Sequence, residues 1–188
     1  MISILVSQGL FLGTDVTHNR LLYKFQDFCV ASPLPATDYM LGLALSDLAF
    51  VTPSLAVLIC LFGYFHLITW SFPLAFVVML FGWLFSSAFG FFLSMFILRS
   101  RSAYSITSLL SALLTVLPPV FYPIQLIPSS YRFLAYVVPT TDVSILVQSE
   151  LGLQSYSWIQ LVLSWMVLFG STTLFFALAA YRARWRQP

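Results

Sequence analysis

Asp47 is the one acidic residue inside a long apolar run of this 188-residue chain. A carboxylate at membrane depth is expensive to ionise, so by default it is a candidate for handling a proton or a substrate. A plainer assignment competes with that one. Asp47 lies about two turns of helix from the end of its run, where it can reach water or face neighbouring helices. A proton relay usually needs several such groups. The remaining reactive side chains are scattered. Cys29 and Cys60 lie far apart with no metal or redox spacing and read as free thiols. His18 and His66 have no partner motif and read as isolated polar residues beside the membrane. No GxxxxGK[ST] loop, Gly-x-Ser-x-Gly elbow, His-Glu-x-x-His or carboxylate pair near a histidine occurs. The chain is therefore not expected to hydrolyse ATP, act as an enzyme, or hold a metal or cofactor.

The elements that carry Asp47 follow from composition. Hydrophobic residues make up 60% of the chain and charged residues 7%, against about 25% charged in soluble domains. That polar surface is too small to cover a globule, so part of the solvent must be lipid. A net charge of +2 gives no reason to expect nucleic acid as a partner. Four stretches, about 40–63, 71–98, 104–121 and 158–181, are read as full transmembrane helices, each able to cross about 30 Å of hydrocarbon. The third is short and stops at Pro118-Pro119. Pro53 is expected to kink the first. Gly82, Ser86, Ser87 and Gly90 in the second suit close helix packing. The apolar run 1–13 is shorter than the ~20 residues a span needs, and reads as the end of a longer helix cut by the start of the chain.

Seven of the eight basic residues, Arg20, Lys24, Arg99, Arg101, Arg182, Arg184 and Arg186, fall in segments that alternating passage puts on one side. Arg132 alone falls on the other. The positive-inside rule makes the first side cytoplasmic, the C-terminus included.

Two segments between spans have structure of their own. Across residues 19–31, Leu21, Leu22, Phe25, Phe28 and Cys29 recur at helical spacing, with Arg20, Tyr23, Lys24 and Asp27 on the opposite stripe. This predicts a cytoplasmic amphipathic helix, ended by Ser32-Pro33-Leu34-Pro35, with Thr37 as N-cap of the next span. The outer segment 122–157 is apolar but interrupted by prolines. Short helices over 131–138 and 142–151 are expected there, the second capped by Thr140 or Thr141. Neither can span, which predicts an extracytoplasmic re-entrant hairpin packed against protein.

Two stretches carry a resemblance. FCVASPLPATDYMLGLALSD resembles the short cytoplasmic helix, Ser-Pro turn and Leu-Gly span opening of the ABC-2 type transporter permeases. LPPVFYPIQLIPSSYRFLAYVVPTTDVSILVQ is similar to that family's Phe-Tyr/Phe-Pro after the fifth span, short helix, and Asn-Pro-Leu-Thr-Tyr. Here Phe121, Tyr122 and Pro123 match the first element. Val138, Pro139, Thr140, Thr141 and Asp142 stand at the last, which lacks the Asn and the Tyr. The resemblance implies an all-α, multi-pass permease of the cell membrane with its first span and most of its second missing. It also implies a second permease copy, homo- or heterodimeric, and a separate ABC ATPase subunit that binds ATP and magnesium. The implied role is export of an amphiphilic or lipid-linked substrate, with Arg20, Tyr23, Lys24 and Asp27 docking on the ATPase. A non-transporting polytopic protein, such as an assembly factor or receptor, is the alternative.

Overall fold

The computed structural model describes residues 1–24, 36–66, 68–97, 100–116, 118–122, 124–128, 132–136 and 138–182. Among these every regular element is helical. In chain order they are α1 (Ile2–Leu21), α2 (Ala36–Tyr64), α3 (Phe72–Ser94), α4 (Ser100–Val116), a 3₁₀ turn (Ile124–Leu126), α5 (Arg132–Tyr136), α6 (Pro139–Glu150) and α7 (Trp158–Arg182). Three helices are long and apolar enough to cross a membrane: α2, α3 and α7. The helix α4 is apolar but shorter, 17 residues, or about 25 Å at 1.5 Å per residue.

The helix α3 is the centre of the bundle, packed by α1, α6 and α7. Small residues set its approach to α1. A Cβ on Gly9 would lie 2.7 Å from Ser86 Cβ, and one on Gly13 would lie 2.5 Å from the Gly90 carbonyl oxygen. Gly9-x-x-x-Gly13 on α1 thus meets Ser86-x-x-x-Gly90 on α3, and the two backbones touch directly. Packing for the α3 glycines and serines is as the sequence suggests. Against α7 the contact is aromatic. Phe81 lies 4.8 Å from Phe169, and Phe89 lies 4.8 Å from Phe175, ring centre to ring centre and edge-on.

These contacts order the helices. Residues 9, 13 and 20 of α1 meet 86, 90 and 94 of α3 in rising sequence, so α1 and α3 run parallel. The helix α7 is parallel to them for the same reason. Thr14 donates to Thr107 and Ser111 donates to Ser7, each at 2.9 Å, so α4 is antiparallel to α1. The C-terminal ends of α1, α3 and α7 and the start of α4 therefore share one end of the bundle.

Several expectations are corrected. The first helix does not stop at Gly13. It continues to Leu21, because Gly13 is a packing contact rather than a terminus and the polar residues beyond it are satisfied. Thr14 bonds Thr107, and Thr17 returns its hydroxyl to the Gly13 carbonyl. Residues 19–21 consequently belong to α1 and do not begin a separate amphipathic helix. Residues 25–31 of that expected helix lie outside the described residues. Thr37 is inside α2 rather than at its N-cap. The second span ends at Ser94 and the third at Val116, each earlier than expected. The helix α6 begins at Pro139, with Val138 at its N-cap. Proline suits that first position because its missing N–H has no helical partner to lose.

Candidate functional site

Three places collect polar groups in this apolar bundle. The first lies between α1 and α2, on their outer faces. Asp47 is 5% exposed. Its Oδ1 accepts a hydrogen bond from Gln8 Nε2 at 2.9 Å, while Oδ2 has no partner among the described residues. A cavity of about 360 Å³ is lined by Asp47 and Ser46 from α2 and by Asp15, His18, Asn19 and Tyr23 from α1 and the turn after it. Leu12, Leu43 and Phe50 supply its apolar wall. Helical spacing explains the set: 15, 18 and 19 fall on one side of α1, and 43, 46, 47 and 50 on one side of α2. Asp47 thus has acidic company that reading α2 alone did not reveal. Asp15 was missed because it sits beyond Gly13, where the helix was expected to have ended.

The second place is the shared end of the bundle. Arg20 Nη2 donates to the Ser94 carbonyl at 3.0 Å and to the Ile97 carbonyl at 2.7 Å. The last carbonyls of a helix have no helical donors and carry partial negative charge. Arg20 therefore closes the C-terminus of α3 from α1, a task at odds with pointing freely toward a partner. Tyr23, 70% exposed, and Lys24 lie just beyond, where the chain leaves α1. Lys24 has φ of 49°, an abrupt turn for a residue with a side chain. Asp27 lies outside the described residues. Tyr23 and Lys24 thus stay together in an accessible position, and Arg20 is separated from them.

The third place is α6. Its residues 140–147 are all buried, although four of them are polar. Thr140 donates its hydroxyl to the Leu114 carbonyl at 3.0 Å, and Ser144 donates to the Pro119 carbonyl at 2.9 Å. The Leu114 carbonyl is the one whose helical donor position is taken by Pro118, so α6 satisfies backbone that the proline leaves open. Val143 packs on Gly82 of α3, where an added Cβ would come within 2.9 Å. Gly82 is ten residues into α3, about 15 Å from its start. Asp142 is 2% exposed. Ser164 of α7 hydrogen-bonds its carboxyl. Gly152, at φ of 68°, reverses the chain after α6. Of the residues expected to mark this segment, Pro139 starts α6, Thr140 is fully buried, Phe121 is 69% exposed and Tyr122 is half-buried. Pro123 lies outside the described residues.

A family model, ABC-2 type transporter, matches residues 25–151. No curated protein and no solved structure matches the chain.

Proposed function

The chain belongs to the ABC-2 type transporter family, whose membrane component is a permease and not a catalytic subunit, and from that membership we propose that it is the permease half of an ATP-binding-cassette exporter. In this reading a separate subunit hydrolyses ATP with magnesium, and the permease pairs with a second copy. The substrate is amphiphilic or lipid-linked and moves outward.

The observation that carries the reading is how unevenly the long helices are covered. In the most apolar stretch of α3, 56% of residues are buried, against 17% in α2 and 11% in α7. Two outer helices with bare apolar faces need lipid and a neighbouring subunit to cover them. The α6 segment supports a re-entrant element, since it is too short to span and is buried against α3, with Val143 on Gly82. The charge asymmetry supports a cytoplasmic location for the Arg20 end. Coupling is assigned to residues 19–31 around Tyr23, Lys24 and Asp27. Tyr23 and Lys24 follow α1 directly, and Arg20 ties the end of α1 to the end of α3. A push on Tyr23 and Lys24 would therefore reach both helices.

The test is Lys24→Glu combined with Tyr23→Ala, leaving Arg20 intact because its loss would disturb α3. The variant is expected to insert and fold normally and to lose ATPase co-purification. Unchanged co-purification and transport would remove this segment as the docking surface.

A further inference from the structure

From the cavity between α1 and α2 we infer that this exporter takes an ammonium-bearing amphiphile, its cationic head against Asp47 and Asp15 and its tail along the outer face of α2. The inference rests on the exporter reading and names its substrate class. Asp47 is more than nine-tenths buried and half satisfied: Gln8 serves Oδ1, and Oδ2 has no partner among the described residues. A buried carboxylate oxygen without a donor is rare. A donor brought by a ligand would complete it. Among the described residues no Lys or Arg lines the cavity, while two carboxylates and one histidine do, so the cavity favours positive charge.

A metal ion fits poorly, because no group of three or more His, Cys, Asp or Glu among the described residues could hold one. A proton alone would neutralise Asp47 but would have no use for about 360 Å³ with an apolar wall. That volume is within the ~300–1,000 Å³ range of small-molecule sites. An ammonium group offers several N–H donors and a charge to two acids, and so uses the space and the polarity together. The wall residue Phe50 is 79% exposed, and Val57 and Leu61, on the same face of α2, are exposed too. An alkyl chain leaving the cavity would meet an apolar surface continuous with lipid.

The experiment places the full chain in lipid nanodiscs with Cys29→Ser, Cys60→Ser and a reporter, Ser46→Cys, at the cavity. The probe is dodecylamine, with dodecanol and dodecanoate at equal mole fraction as comparators. The readout is the rate of N-ethylmaleimide labelling. Dodecylamine is expected to slow labelling at least tenfold, the comparators less than twofold, and Asp47→Asn to abolish the difference. Asp15→Asn, at an exposed position that does not threaten folding, is expected to weaken protection about fivefold. Equal protection by dodecanol, or protection that survives both acid substitutions, would overturn the inference. Labelling needs no ATPase, so its failure leaves the exporter reading intact. Failure of ATPase co-purification would sink that reading without touching the cavity result.

Discussion

Substituting Gly13 probes the contact on which the bundle depends. A Cβ there would stand 2.5 Å from the Gly90 carbonyl oxygen, 3.1 Å from its carbon and 3.3 Å from its Cα. All three are backbone atoms, so no side chain can swing aside. Comfortable contact lies near 3.5 Å, so α1 and α3 must part by roughly 1 Å at the crossing. Overpacking of this kind costs about 1–3 kcal/mol. The same displacement stretches the Arg20 bonds to Ser94 and Ile97, now 3.0 and 2.7 Å, toward the limit of useful hydrogen bonding. Losing a charged hydrogen bond adds about 1.5–3 kcal/mol. With alanine's gain of about 1 kcal/mol as a helix former set against the sum, Gly13→Ala is expected to destabilise by about 1.5–5 kcal/mol. The control is Gly42→Ala on α2, where nothing lies within 4 Å of the new Cβ. Alanine is the better helix former by about 1 kcal/mol, so that change should be neutral or stabilising. Reversible unfolding in mixed micelles, titrated with dodecyl sulfate, measures both. If Gly13→Ala unfolds together with Gly42→Ala, the backbone contact between α1 and α3 is wrong.

Other expectations follow from the same contacts. Arg20→Gln should lower stability by about 1–3 kcal/mol, read in the same titration, with Lys24→Gln near neutral. Cysteines placed at 99 and 132 should label from opposite sides of the membrane, as the charge asymmetry requires.

The membrane class, the central apolar helices and the small-residue face of α3 were legible in the sequence because hydropathy and residue size act locally. The prolines likewise marked where α4 stops. The length of α1 was not legible. Gly13 followed by Thr14 and Asp15 looks like a helix end, and only the partners on α3 and α4 make that stretch helical. Gly9 and Gly13, four apart, were the available signal. The role of Arg20 was hidden for a related reason. A cation near a run of polar residues looks solvent-facing until the α3 terminus it serves is in place. Asp47 was found as a lone acid, but Asp15 and the cavity they share depend on how two helices pack. The inner cap of α6 was misread because Thr140 looked like an N-cap, whereas its hydroxyl serves the Leu114 carbonyl from another helix.

The exporter reading is tested most directly in inside-out membrane vesicles holding the chain and its co-purifying ATPase, with a fluorescent amphiphilic amine added to the outer medium. With ATP and magnesium outside, the amine should accumulate in the lumen. Accumulation should cease when either subunit is missing and should fall steeply with Asp47→Asn. Accumulation that proceeds equally well without this chain, or ATP hydrolysis that never moves an amphiphile of any charge, would contradict its assignment as the permease.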